Sequence, residues 1–163
     1  YFGFGSLRAP EGLSQAMIGS ARAHGRRAIV SRGWANLALI DEGPDTLAID
    51  EVNQRALFKR VAAVVHHGGA GTTTAAALAG TPQVIVPQMY DQHYFARRVQ
   101  ELGIGSAHAP GAPTIESLTD ALRPALRDET AERAHDLAAT MTLNGAALAA
   151  QRLISTDLSA LAV

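Results

Sequence analysis

The residues best suited to chemistry lie in the run Val64-Val65-His66-His67-Gly68-Gly69-Ala70-Gly71-Thr72. Here an apolar strand pattern passes through glycines into a helical pattern. The free backbone N–H groups of the helix start and its positive dipole end therefore fall at the glycines. Gly69 and Gly71 let the backbone approach a phosphate where a Cβ would obstruct it. Thr72 adds a hydroxyl donor, and His67 can hydrogen-bond a phosphate oxygen. The run predicts a phosphate site, with a plain turn capped by threonine as the alternative.

Other phosphate, cofactor and metal motifs are incomplete. Neither Gly69-Ala70-Gly71 nor Gly3-Phe4-Gly5 has the third glycine, three residues further on, that a dinucleotide fingerprint requires, and a Walker A lysine is missing. The adjacent His66 and His67 are poorly placed to share a metal, and no nearby cysteine or second spaced histidine completes a site. No cofactor and no metal site are predicted.

A second candidate site follows the apolar run Val84-Ile85-Val86. Asp91 and Gln92 together offer acceptors and donors, a combination suited to bidentate hydrogen bonding of vicinal sugar hydroxyls. The alternative is that Asp91 only caps the helix that begins there.

Two further candidates follow other strand patterns. The amides and hydroxyl at Gly5 and Ser6 can contact a diphosphate or form a simple turn. Trp34, the only tryptophan, follows Arg32 and can stack on a base or cover the edge of the core. The remaining histidines at helix ends and loops are expected at the surface, namely His24, His108 and His135.

These candidates are positioned by alternating strand and helix patterns, which predict an α/β fold with a Rossmann-like doubly wound parallel sheet. Ligands of such sheets gather at the carboxyl ends of the strands, where all the candidates fall. The predicted strands are Tyr1–Phe4, Arg27–Ser31, Thr46–Ile49, Val61–His66, Gln83–Val86 and Gly105–Ala107. The predicted helices are Pro10–His24, Thr72–Ala79, Asp91–Leu102, Thr114–Leu126, Glu129–Thr142 and Gly145–Leu161.

Length and composition fit one domain over residues 1–163, with a cytoplasmic location as the default. The charges nearly balance, at 14 basic against 15 acidic residues, so nucleic acid is not a predicted partner. Cysteine is absent, and no apolar run is long enough to predict membrane insertion. Because the sequence starts directly in a strand pattern, we expect a fragment of a longer chain.

The region from about Asp50 to Gln92 resembles the nucleotide-sugar signature of family 1 glycosyltransferases with the two-domain GT-B fold. Through most of the chain the sequence is similar to the C-terminal, donor-binding domain of bacterial natural-product glycosyltransferases. Three segments are most like the glycopeptide-antibiotic enzymes that act on vancomycin-type aglycones: Ser31-Arg32-Gly33-Trp34-Ala35, Ile49-Asp50-Glu51-Val52-Asn53 and Val65 to Thr73.

This resemblance implies a role for each matching position. His67 falls where the family binds the diphosphate and stabilises the leaving group. The neighbouring amide and hydroxyl contacts fall at Gly68, Gly69, Gly71 and Thr72. Asp91 and Gln92 match the pair that holds sugar hydroxyls. Val52 and Gln54 match positions near the base, and Ser6 lies in a loop that faces the diphosphate.

Two positions depart from the family pattern. Glu51 stands where many relatives stack the base on a tryptophan, a role that Trp34 or Arg32 can take instead. Ala75 stands where many UDP-sugar enzymes place a glutamate for the ribose hydroxyls. A deoxyribose lacks the 2′-hydroxyl, so a dTDP-sugar donor is expected, with a UDP-sugar as the other option.

The resemblance implies inverting, metal-independent transfer of a sugar to a natural-product hydroxyl. The general base is expected on an N-terminal acceptor domain, so this chain alone is expected to be inactive. The alternatives are a nucleotide-sugar-binding module without catalysis, or a GT-B sugar-nucleotide epimerase. An epimerase needs acidic groups at the sugar, where only Asp91 is a clear carboxylate.

Overall fold

The computed structural model describes residues 1–5, 12–34 and 37–155, and these residues contain one six-stranded parallel sheet. Its strand order is β3-β2-β1-β4-β5-β6, so the order reverses between β1 and β4. That reversal is the switch point at which doubly wound sheets bind ligands. The strands are β1 (Phe2–Gly3), β2 (Ala28–Ser31), β3 (Thr46–Ile49), β4 (Val64–His66), β5 (Gln83–Ile85) and β6 (Gly105–Ala107). The fold class and all six predicted strands are confirmed.

The described helices are α1 (Leu13–Ala23), α2 (Gln54–Phe58), α3 (Ala70–Ala79), α4 (Gln92–Glu101), α5 (Ile115–Ala125), α6 (Asp128–Thr140) and α7 (Gly145–Ser155). The first residues of the helix predicted from Pro10 and the last of the one predicted to Leu161 lie outside the described residues. Helix α2 was not predicted, because five residues are too few to show a periodic pattern.

Helix α3 begins at Ala70, two residues before the predicted start, and Gly69 is its N-cap. The threonine-capped turn is therefore wrong. Thr73 instead donates its hydroxyl to the carbonyl of Gly69 (2.9 Å), and Thr72 lies within the first turn. The early start places the unbonded amides of the first turn closer to the histidines than the sequence suggested.

The sheet is covered on both faces, as the continuous apolar runs predicted. In β4, Val65 packs with α1 and α5 in the larger core cluster, whereas Val64 packs with Phe58 of α2 and Ala76 of α3. Successive strand residues point to opposite faces, so both must be apolar. This burial on both faces fixes the position of β4, which ends at His66 and is followed by His67.

Helix α7 has no buried residue over its described length, and Leu148, Leu153 and Ile154 are exposed. No helix within the described ranges combines the length and the apolar character needed to cross a membrane.

Candidate functional site

The carboxyl ends of β1 and β4 bring two of the candidate segments together at the switch point. In the register of the sheet, Gly3 lies beside His66. A Cβ placed on Gly5 would lie 3.3 Å from Cε1 of His67, so the β1 loop runs against that imidazole. Ser6 itself lies outside the described residues.

The imidazole of His67 is half-buried and takes part in no hydrogen bond among the described residues, and its Nδ1 is buried without a partner. Burial lowers the pKa of His67, and the negative charge of Asp91 opposes this shift. The ring is therefore neutral at pH 7, with one N–H to donate. Because buried polar atoms are normally paired, the unpaired nitrogen marks a position where a ligand atom would be stabilised.

The glycines of the turn have different reasons for lacking a side chain. A Cβ on Gly69 would lie 2.6 Å from Nε2 of His67, so this glycine makes room for the imidazole. Its role in admitting a phosphate stays a prediction. A Cβ on Gly71 would meet nothing within 4 Å, so Gly71 faces open space.

Gly68 links the phosphate turn to the second candidate segment. It is buried and has a φ of 96°, a conformation that favours glycine. A Cβ there would lie 2.7 Å from Cγ2 of Ile85 and 3.2 Å from Cβ of Gln92. The turn therefore lies so close to the start of α4 that no side chain fits between them.

Asp91 and Gln92 behave differently from each other. The Asp91 carboxylate is exposed and makes no capping hydrogen bond to α4, so the purely capping role is wrong. Gln92 is buried, and its Oε1 accepts hydrogen bonds from the amides of Gln88 (2.8 Å) and Met89 (3.2 Å). The structure divides the two functions of this pair: Asp91 is free to accept, and the Nε2 group of Gln92 remains to donate.

A groove of about 620 Å³ opens beside the first turn of α3. It brings together the two positions expected near the base, Val52 and Gln54, with Gly71 and Ala75. The Nε2 of Gln54 also lies 3.5 Å from the hydroxyl of Tyr1, which ties α2 to β1. Residues from separate parts of the sequence therefore form one nucleoside-sized cleft next to the phosphate turn. Its lining consists of Val52, Asn53, Gln54, Arg55, Ala70, Gly71, Thr74, Ala75 and Leu78.

Arg32 and Trp34 lie at the same sheet edge but do not line this groove. The Arg32 guanidinium pairs with both carboxylate oxygens of Asp50 (3.0 and 3.1 Å), a partner that the sequence did not reveal. The Trp34 amide donates to the carbonyl of Gly5 (3.1 Å), and its side chain is 87% exposed. Its predicted alternative role in covering the core is wrong, because the ring is in solvent.

Two histidines are buried, and one of them, His108, was expected at the surface. His108 is only 5% exposed, and its Nε2 lies 2.7 Å from Oγ of Ser117. His66 is fully buried and contacts Gln83 of β5. The polar Gln83 in an otherwise apolar strand was the only sequence signal for this buried pair.

A second cavity, of about 570 Å³, opens at the opposite edge of the sheet, and none of the candidate residues lines it. It is lined by basic residues as well as strand ends, among them Arg26, Arg27 and Arg60. The candidate site is therefore the groove and turn at the carboxyl edge.

Comparison with solved structures places this fold among the glycosyltransferases. The glycosyltransferase of kitacinnamycin superposes with a TM-score of 0.79 at 25% identity, over 94% of this chain and 41% of that one. The spinosyn rhamnosyltransferase SpnG superposes with a TM-score of 0.71 at 20% identity, over 92% of this chain and 46% of that one. The architecture is that of one half of a GT-B glycosyltransferase.

Residues 26–154 match the family described as the C-terminal domain of erythromycin biosynthesis protein CIII-like proteins. Three similar relatives come from Amycolatopsis orientalis. Glycosyltransferase GtfE is 57% identical over 95% of this chain, and the vancomycin aglycone glucosyltransferase is 56% identical over 94%. The dTDP-epi-vancosaminyltransferase is 46% identical over 82% of the chain. The chain belongs to this family of glycosyltransferase C-terminal domains, and it spans 38% of the length of the first two relatives.

Proposed function

We propose that this chain binds the nucleotide-sugar donor of an inverting, metal-independent glycosyltransferase whose donor is a dTDP-sugar. The observation that carries the proposal is the position of His67. Its imidazole has an unpaired buried nitrogen, and it lies between the β1 loop at Gly5 and the amide-rich start of α3. This arrangement suits a diphosphate, with the nucleoside in the adjacent groove and the sugar near Asp91.

In the proposed reaction, an acceptor hydroxyl attacks the anomeric carbon of the donor sugar. The bond from that carbon to the diphosphate oxygen breaks, and its electron pair leaves with the nucleoside diphosphate. His67 and the first amides of α3 stabilise the developing charge, and one such donor typically contributes about 3–4 kcal/mol. Direct displacement inverts the anomeric configuration. The acceptor proton goes to a base on a separate acceptor-binding domain.

Two observations support a dTDP donor over a UDP donor. Ala75 lines the groove one helical turn after Gly71, so no carboxylate is present there to bind a ribose 2′-hydroxyl. One relative, 46% identical, carries a dTDP-sugar in its name. By the same reasoning, the name of the vancomycin aglycone glucosyltransferase supports a glycopeptide aglycone as the acceptor of the whole enzyme.

The proposal is tested by calorimetric titration of the chain with dTDP, UDP and thymidine. We expect dTDP to bind more tightly than UDP and chelators to leave binding unchanged. Loss of a hydrogen bond to a charged group in His67→Ala should weaken dTDP binding by about tenfold to a hundredfold. His135→Ala, at an exposed position, is the control. Unchanged dTDP affinity in His67→Ala would overturn the assignment of the diphosphate site.

A further inference from the structure

His66 is a fully buried imidazole at the end of β4 that has no direct place in the proposed donor site. Both of its ring nitrogens are engaged. Nδ1 lies 3.1 Å from the amide nitrogen of Gly68, and Nε2 lies 3.0 Å from Oε1 of Gln83. A strand of otherwise apolar residues thus ends in a hydrogen-bonded chain of three groups.

The direction of this chain follows from which groups can only donate. The Gly68 amide has a hydrogen and no acceptor site, so Nδ1 of His66 must carry the lone pair. The proton of a neutral ring then lies on Nε2, and Oε1 of Gln83 accepts it. Burial lowers the pKa of His66 to about 4, which keeps the ring neutral over the physiological range.

The bond from Gly68 to His66 holds the turn in an uncommon shape. It joins a side-chain acceptor to the backbone amide two residues on, the geometry that asparagine and aspartate use in Asx-turns. Gly68 is buried and has a φ of 96°. Its amide donates its hydrogen bond to His66, so removing Nδ1 of His66 would remove the acceptor of a buried amide. The residues that follow the turn are Gly69 and the start of α3, which carry the amides of the donor site.

We propose that His66 and Gln83 are positioning residues for the diphosphate. Gln83 holds His66 in the tautomer whose Nδ1 accepts from Gly68, and that bond fixes the turn so that His67 and the α3 amides converge on one anion. This inference rests on the proposed function, because its readout is diphosphate binding.

The Nε2 group of Gln83 indicates that this side chain does more than fill space in the core. Its Nε2 is buried and has no hydrogen-bond partner, and the side chain is fully buried. Burying an unpaired polar group is unfavourable, and an apolar side chain of similar size would avoid that cost. Within the described ranges, the side chain of Gln83 makes one hydrogen bond, the one to His66.

Three variants separate positioning from packing. His66→Phe keeps an aromatic ring but removes the acceptor, whereas His66→Asn restores an acceptor for the amide two residues on. Gln83→Met removes the acceptor for His66 at nearly constant volume. Each variant is titrated with dTDP and with thymidine, and ¹⁵N NMR reports the protonated ring nitrogen of His66 in the wild-type chain.

We expect His66→Phe to weaken dTDP binding by about tenfold or more. This is the effect of losing one hydrogen bond, here the bond that orients the groups contacting the charged diphosphate. Thymidine affinity should change much less than dTDP affinity, because most of the groove lining belongs to α2 and to later turns of α3. His66→Asn should restore most of the dTDP affinity, and Gln83→Met should fall between. NMR should show Nε2 protonated and Nδ1 not.

Equal dTDP affinity in wild type, His66→Phe and Gln83→Met would overturn the inference, as would a parallel loss of dTDP and thymidine binding or a protonated Nδ1. If His66→Phe does not fold, Gln83→Met carries the same comparison. A wild-type chain that binds neither dTDP nor UDP would contradict the proposed function itself, which distinguishes the two failures.

Discussion

Gly71 and Ala75 lie one turn apart on α3 and line the same groove. Gly71 faces open space where a phosphate is proposed, and Ala75 lies where the family resemblance predicts a carboxylate in UDP-sugar enzymes. The two positions therefore test the phosphate and the nucleoside separately.

Gly71→Ala should move stability and binding in opposite directions. A Cβ at Gly71 meets no protein atom within 4 Å, so the substitution introduces no clash. Alanine is a better helix former than glycine, and stability should rise by up to about 1 kcal/mol. The same Cβ should obstruct a bound diphosphate and weaken dTDP binding. Gly145→Ala, also in open space but at the start of α7, is the control that should leave dTDP affinity unchanged. An unaltered dTDP affinity in Gly71→Ala would contradict the proposed position of the phosphate beside Gly71.

Ala75→Glu should shift the nucleotide preference from dTDP towards UDP. The new carboxylate would line the groove and accept from a ribose 2′-hydroxyl, which deoxyribose lacks. A hydrogen bond to a charged group contributes about 1.5–3 kcal/mol, so the ratio of the two dissociation constants should change by about tenfold or more. The measurement is competitive titration with both nucleotides. Ala147→Glu, on the exposed face of α7, should leave the ratio as in wild type. A ratio that does not move would place the ribose elsewhere.

Asp91→Asn should affect the sugar but not the nucleotide. The Asp91 carboxylate is exposed and makes no capping hydrogen bond, so its loss should leave the fold and dTDP affinity intact. The gain in affinity from dTDP to a dTDP-sugar should fall by about tenfold, as for one hydrogen bond to a charged acceptor. Calorimetry with both ligands measures the difference, with Asp136→Asn as the exposed control. If dTDP and the dTDP-sugar weaken equally, Asp91 does not contact the sugar.

The buried His66 should make the chain less stable in acid. Its pKa is about 4 in the folded chain, against an ordinary value of 6.5, because burial disfavours the charged ring. Above pH 6.5 both states are neutral and no penalty applies. As the pH falls from 6.5 towards 4 the unfolded chain binds a proton that the folded chain does not, which costs about 3 kcal/mol in total. Urea unfolding at pH 7.5 and 4.5 should show a smaller loss for His66→Asn than for wild type. His67 is present in both chains, and its charge also lowers the pKa of His66, so the difference reports His66 together with this coupling. Equal losses would contradict the role of burial.

The sequence predicted the sheet well because its signals are local. Val64 and Val65 are both apolar since each faces a different helical layer, and a run of such residues is distinctive. The helix stop at Gly80 has a φ of 69°, as its glycine predicts. The short α2 lacked such a signal, because five residues show no periodic pattern. Its cap is a single hydrogen bond, from the amide of Ala56 to the side chain of Asn53.

The site was harder to predict, because its details depend on contacts between distant segments. His67 was identified from the turn pattern, but the reason for Gly69 is the imidazole itself. Gln92 was assigned by its position beside Asp91, whereas its oxygen is used by the loop at Gln88. Arg32 was considered alone and proved to be paired with Asp50. Such pairings follow from the fold and not from spacing along the chain.

The contact of Gly68 with Ile85 and Gln92 has a mechanical consequence. Protein interiors are close-packed and transmit displacement, so the phosphate turn cannot shift without moving the loop that carries Asp91. The proposed diphosphate and sugar positions therefore belong to one packed unit. If the donor binds as proposed, the position of its diphosphate is coupled to the position of its sugar, and a sugar that does not fit should weaken diphosphate binding as well.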